Sequence, residues 1–190
     1  MLVLASESPY RRVLLDRLLL PYTAASHKCD ERSLPVADSL QQHAIDLATA
    51  KAASLREQFP TAHIIGSDQI AELDGHILHK PETEERAIQQ LGRLAGQTHN
   101  LHTAIALHSP DGTVQTAVDV HKMHMRALGS DELRRYVQAD QPLDCCGSYK
   151  IESLGISLFE RIEGDDFTAI TGMPMLALCQ QLRSAGFSIP

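Results

Sequence analysis

Five short stretches of this chain hold residue types that could do phosphate chemistry. In Ser6-Glu7-Ser8-Pro9-Tyr10-Arg11-Arg12, Ser8 reads as a helix N-cap and Pro9 as the first helical residue, so Arg11 and Arg12 fall in the first turn. A helix N-terminus already carries partial positive charge and unpaired amides. Two guanidinium groups there are unfavourable by about a few tenths of a kcal/mol if merely solvated, and a bound anion reverses that cost by engaging the amides, the serine hydroxyls and the arginines together. Lys51 interrupts the apolar stripe of Leu40, Ala44, Leu47, Ala48 and Leu55; a lysine on such a face must pair, snorkel outward or reach a polar pocket. Asp68 lies in Gly66-Ser67-Asp68-Gln69, directly after an apolar strand ending at Ile65, and Glu31 lies in Cys29-Asp30-Glu31 after a strand at Tyr22 to Ala25. Lys80 precedes Pro81, which pins its backbone. Any one of these is an ordinary solvated charge, but carboxylates and cations collected at the ends of elements suit Mg²⁺-polyphosphate chemistry. Acids hold a hard metal or activate water, and cations neutralise phosphate charge.

The elements that must position these groups alternate between strand and helix. Leu2 to Ala5 is a short apolar run of the buried-strand kind, followed by the helix opened at Pro9. Ser39 with Gln42 marks the start of a second helix running to about Gln58. His63 to Ile65 is a strand, and Ile70 to Leu73, Asp74-Gly75 and His76 to Leu78 form a hairpin on a turn that favours positive φ. Helical spacing returns from about Thr83 to Leu94. Leu101 to His108 and Val114 to His124 flank a Pro-Asp-Gly turn, a helix covers about Asp131 to Gln138, a strand lies near Ile156 to Ile162, and a helix from Pro174 to about Ala185 ends at Gly186. The pattern predicts one mixed α/β domain over residues 1–190, with strand-end loops available as a site.

Composition narrows the chemistry. The 190 residues carry 24 acidic and 17 basic side chains, a formal charge of −7, which argues against wrapping nucleic acid on a basic face. Arg11, Arg12, Asp16 and Arg17 break the apolar N-terminal run, so it does not read as a signal peptide, and no stretch is long enough for a membrane span; a cytoplasmic protein is expected. Cys29, Cys145, Cys146 and Cys179 make no C-x-x-C pair, consistent with reduced thiols. The 10 histidines invite a metal hypothesis, yet no H-E-x-x-H occurs, and His99/His102 and His121/His124, each three apart on strands, face opposite ways. Histidine is therefore expected mainly on surfaces and strands, with carboxylates as the metal ligands. The G-x-x-x-x-G-K-[ST], G-x-G-x-x-G and G-x-S-x-G patterns are all missing, so a nucleotide would need a different cradle.

Taken together, Leu-Ala-Ser-Glu-Ser-Pro-Tyr-Arg-Arg at 4–12, Cys-Asp-Glu at 29–31, Ala-Lys-Ala at 50–52, Gly-Ser-Asp-Gln at 66–69, Lys-Pro at 80–81, Gly-Gln-Thr-His at 96–99, Gly-Ser-Tyr at 147–149 and Gly-Met-Pro-Met at 172–175 resemble the Maf family of nucleoside triphosphate pyrophosphatases, over nearly the whole chain. Within it the sequence is similar to the YceF-like branch. The resemblance implies a mixed sheet with flanking helices and a cleft between two lobes, similar to inosine triphosphate pyrophosphatases. It implies hydrolysis between the α and β phosphates, with Asp68 as proton acceptor, Ser6, Arg11, Glu31, Lys51 and Lys80 binding substrate, and Asp68 and Glu31 holding Mg²⁺ or Mn²⁺.

Departures from the commoner Maf pattern bear on the base. Tyr10 stands where many members have arginine, Gln69 where they have threonine, and Cys145-Cys146 where they have Lys-Ala. An aromatic at Tyr10 can stack on a cationic purine, Gln69 offers a donor and an acceptor to a base edge, and Glu152 matches a further specificity position that would balance a methylated guanine. The branch is associated with 7-methyl-GTP, the commoner pattern with dTTP and UTP. The resemblance implies a small-molecule nucleotide as partner, with neither nucleic acid nor membrane. Family members are often homodimers, although no unpaired apolar helix face in the sequence establishes one. The rival readings are a dTTP/UTP pyrophosphatase, a nucleotide-binding regulator of cell division arrest, which would need no proton acceptor, and a phosphomonoester hydrolase, which would release orthophosphate.

Overall fold

A computed structural model describes residues 1–189. Seven strands form one mixed sheet: β1 (Leu2–Leu4), β2 (Tyr22–Ala24), β3 (His63–Leu73), β4 (His76–Leu78), β5 (Thr98–His108), β6 (Val114–Met125) and β7 (Phe159–Glu163). Their order is β2-β1-β3-β5-β6-β7, with β4 also paired to β3. The helices are α1 (Pro9–Asp16), α2 (Leu40–Ala53), α3 (Glu84–Leu94), α4 (Ser130–Asp140) and α5 (Met175–Ser184). The chain separates into two compact units, the first made of Met1–Gln69, Thr103–Asp119 and the chain from Asp166, the second of Ile70–His102 and Val120–Asp165.

In the first unit β1 lies parallel to both β2 and β3, with Leu4 opposite Ala24 and Ile65. Strands buried on both faces read as continuous apolar runs, and β1 shows why. Leu2 and Leu4 pack with Leu14 and Leu15 of α1 and Leu178 and Leu182 of α5, while Val3 and Ala5 pack with Ala52, Leu55 and Ile64. Gly66 is required by proximity: a Cβ there would lie 1.9 Å from the Ala48 carbonyl oxygen, so the backbones of β3 and α2 touch directly.

The second unit packs α3 through Ala87, Leu91 and Leu94, and α4 through Leu133, Tyr136 and Val137. His99, Tyr149 and Phe159 form an aromatic cluster, with the Tyr149 and Phe159 rings 4.8 Å apart and edge-on. Burial would raise the Glu72 carboxyl, but hydrogen bonds from the Asn100 amide and the Gly75 N–H outweigh it and hold it below the usual carboxylate range.

The structure departs from the sequence expectations at four places. Gly66–Gln69 is not a loop: β3 continues through it to Leu73, since Ser67 and Asp68 are buried but satisfied by hydrogen bonds. Helix α2 stops at Ala53, where Ser54 turns its hydroxyl back to the Lys51 carbonyl. Residues Leu154–Leu158 form a 3₁₀ helix, and the strand expected from Ile156 begins only at Phe159. His43 is buried on α2, neither on a surface nor on a strand, whereas buried His99, His102 and His121 lie on strands as expected. Among the described residues no group of three or more His, Cys, Asp or Glu side chains could hold a metal ion, no disulfide joins the cysteines, and no helix is long and apolar enough to cross a membrane.

Buried His99 carries a pH consequence. Burial pulls its imidazole from 6.5 down to about 4. Between those values the unfolded chain binds the extra proton, so stability falls as pH drops through that window, by about 3 kcal/mol in all from this group. Urea midpoints at pH 7 and pH 4.5 should show the loss, and His99→Gln should reduce the difference between them. An identical difference in that variant would place the acid sensitivity elsewhere.

Candidate active site

The first three strands deliver their ends to one region. Parallel α/β sheets bind ligands beyond the carboxyl ends of their strands. Ser6 follows β1, Glu31 follows β2 at the start of a 3₁₀ turn (Glu31–Ser33), and Asp68 lies just past the part of β3 that pairs with β1. Asp68 was expected at a strand end. It lies inside a strand instead, yet still beyond the parallel segment.

Lys51 resolves the anomaly of a cation on an apolar stripe by pairing. It is 5% exposed; its Nζ lies 2.5 Å from Asp68 Oδ1 and 3.2 Å from Glu31 Oε1. Two carboxylates from separate elements thus converge on one ammonium. His27, which sequence reasoning left among the scattered histidines, joins them with Nε2 3.4 Å from Glu31 Oε1. Its pKa is lowered by burial first and by Lys51 second, with smaller effects from Glu31, Arg11 and Asp68. Those influences put Arg11 in the same electrostatic neighbourhood as the Lys51 cluster. The only local signal for His27 was its place four residues before Glu31.

Arg11 and Ser6 form a second, adjoining group. Arg11 Nη1 donates to Ser6 Oγ at 3.3 Å, Arg11 Nε donates to the Gly172 carbonyl at 3.0 Å, and the Ser8 N–H donates to Ser6 Oγ at 3.2 Å. Ser6 therefore engages the amide end of α1 where an anion was expected, while Arg12 points to solvent. Tyr10 is half-buried on α1. Gln69 Nε2 lies 2.9 Å from both the Ala169 and Ile170 carbonyl oxygens and 3.1 Å from Thr103 Oγ1, so its amide N–H groups also bind the fold. Lys80 and Glu152 belong to the second unit, and both are exposed. The Glu152 carboxyl is shifted upward, chiefly by desolvation.

The donor set fits a hard divalent cation. Mg²⁺ is typically held by one or two carboxylates, the remaining positions going to water and substrate phosphates. Asp68 and Glu31 supply that number, aimed at a point a positive charge already occupies.

Fold and site define a mixed α/β protein with a cluster of cations and carboxylates at parallel strand ends. The fold is similar to that of the Staphylococcus aureus Ham1 protein, with a TM-score of 0.53 at 13% identity over 96% of this chain and 98% of that one. Residues 1–185 match the Maf-like protein family, and the chain belongs to that family. It is 48% identical over 189 residues to the 7-methyl-GTP pyrophosphatase of Xanthomonas axonopodis pv. citri, covering all of this chain and 98% of the relative. It is 45% identical over 190 residues to the 7-methyl-GTP pyrophosphatase of Pseudomonas aeruginosa, with the same coverage.

Proposed function

We propose that this chain hydrolyses 7-methyl-GTP to 7-methyl-GMP and pyrophosphate. Whole-length similarity to relatives of that name supports the substrate, and the observation that carries the chemistry is the convergence of Asp68 and Glu31 on buried Lys51. Water attacks the α-phosphorus, the bond from that phosphorus to the α–β bridging oxygen breaks, and pyrophosphate leaves. Asp68 accepts the proton of the attacking water, and Lys51 and Arg11 stabilise the negative charge gathering on the departing pyrophosphate. Ser6 orients Arg11 and a phosphate oxygen. Tyr10 contributes to selection of the methylated base. Gln69 contributes to selection through the backbone it holds. A divalent ion on Asp68 and Glu31, Mg²⁺ or Mn²⁺, would supply Lewis-acid polarisation of the phosphate oxygens.

On this reading residues 1–190 act as one pyrophosphatase domain, as a homodimer in the cytoplasm, removing a modified nucleotide before it enters nucleic acid. A pyrophosphate-release assay across 7-methyl-GTP, GTP, dTTP and UTP tests it. Turnover of 7-methyl-GTP at a kcat/KM at least about tenfold above the others is expected, a margin that about 1.4 kcal/mol of differential transition-state binding supplies. Preference for dTTP or UTP would overturn the base assignment, and orthophosphate as product would overturn the reaction.

A further inference from the structure

Strand β3 divides its contacts by the alternation of its side chains. Asp68 meets Lys51, so Ser67 and Gln69 face the other way, and both engage a 3₁₀ turn (Phe167–Thr171) and the glycine after it. Ser67 Oγ lies 2.7 Å from the Gly172 carbonyl oxygen and 2.9 Å from that of Ala104. Gln69 holds Ala169 and Ile170, and Thr103 Oγ1 donates to Ala169 at 2.9 Å. The same Gly172 carbonyl accepts from Arg11 Nε. Its direction depends on a backbone φ of +112°, which favours glycine.

One carboxylate closes this segment at both ends. Asp166 is 6% exposed; its Oδ1 accepts from the Thr168 N–H at 3.0 Å and from the Thr168 hydroxyl, and its Oδ2 accepts from the Leu176 N–H at 2.7 Å. Thr168 Oγ1 in turn accepts from the Met175 N–H at 2.9 Å. Helix α5 needs this help, because its N-cap is Pro174, which has no side-chain acceptor. Asp166 and Thr168 take over that role from earlier in the chain, and the residues between them and α5 are the ones that carry the Gly172 carbonyl.

We propose that Asp166 and Thr168 are positioning residues for Arg11. They close residues 166–176 into a bracket that fixes the Gly172 carbonyl. That carbonyl holds Arg11 through Nε, so the planar guanidinium presents its Nη edge to the polyphosphate in one orientation. The inference rests on the reading of Arg11 as a phosphate-binding group.

A double-mutant cycle separates positioning from simple stabilisation of α5. Thr168→Val and Asp166→Asn are each made in the wild-type and Arg11→Ala backgrounds, with melting temperatures recorded for all. Two readouts are taken: kcat and KM for pyrophosphate release from 7-methyl-GTP, and affinity for inorganic pyrophosphate by calorimetry. In the wild-type background each variant should lose about tenfold in kcat/KM and weaken pyrophosphate binding. In the Arg11→Ala background the further loss should be under about twofold, because coupled residues are not additive. Thr168→Ser should restore the wild-type values. Should Asp166→Asn fail to fold, the Thr168→Val cycle carries the test alone. Equal losses in both backgrounds would make the bracket purely structural and overturn the proposal while leaving the pyrophosphatase reading intact. No turnover of any nucleotide, with coupling still present in pyrophosphate affinity, would overturn that reading and leave the positioning role standing. Wild-type protein that binds no pyrophosphate would overturn both.

Discussion

Asp68→Asn is expected to lower pyrophosphate release by about 10³-fold while the protein stays folded. The substitution keeps the shape and an oxygen facing Lys51, but removes the group that takes the proton, a contribution of about 10²–10⁴ in rate. The fold should survive because Lys51, the buried cation, retains Glu31 at 3.2 Å. The cost of weakening one charged hydrogen bond is about 1–2 kcal/mol, a modest shift in melting temperature. Steady-state kinetics beside a thermal melt checks both halves. Wild-type turnover in this variant would remove Asp68 as proton acceptor, whatever its contacts.

The reverse substitution should hit stability harder. In Lys51→Met, Asp68, only 7% exposed in the wild type, loses the ammonium that lies 2.5 Å from its Oδ1. Stranding a buried charge costs about 3–5 kcal/mol, which urea unfolding would resolve as a lower midpoint with an unchanged slope. Turnover should fall at least about 10²-fold, since an electrostatic contact to the leaving group is lost. Adding Asp68→Asn to Lys51→Met should recover part of the stability, because the stranded charge is then gone. Mg²⁺ or Mn²⁺ should raise the melting temperature of Lys51→Met more than that of the wild type, as the ion would no longer compete with an ammonium for the two carboxylates. An unfolding midpoint equal to that of the wild type would mean that the pair adds nothing to the fold.

Local signals in the sequence announced most of the elements. Ser8-Pro9 opens α1, Ser39 accepts from the Gln42 N–H at the start of α2, Thr83 does the same for Arg86 in α3, and Asp74-Gly75 turns β3 into β4. What periodicity could not show was the continuation of β3 through Gly66–Gln69. Its polar residues look like a loop until their partners are known, and those partners lie far along the chain at Gly172, Ala169 and Ala104. The same holds within the site. Lys51 stood out because it broke an apolar stripe, and Arg11 because it crowded a helix N-terminus. Ser67 and Asp166 carry no such local mark, since their roles arise from contacts 105 residues away in one case and from capping a later helix in the other. His27 and buried His43 went unread for a related reason: a single imidazole does not reveal from sequence whether neighbours will cover it.

The contact of backbone on backbone at Gly66 separates two properties that often vary together. Lys51 rides on α2 between Ala48 and Ala52, and Asp68 sits two residues beyond Gly66, so the spacing between the elements that carry the ion pair is set by main-chain atoms. Side chains farther out in the core, such as Leu55 and Ile64, can change in size and alter how firmly the sheet holds its helices without resetting that spacing. Evolution can therefore tune the thermal endurance of this unit through its apolar residues while the reaction geometry is inherited unchanged, and the constraint that makes this possible rests on a residue with no side chain.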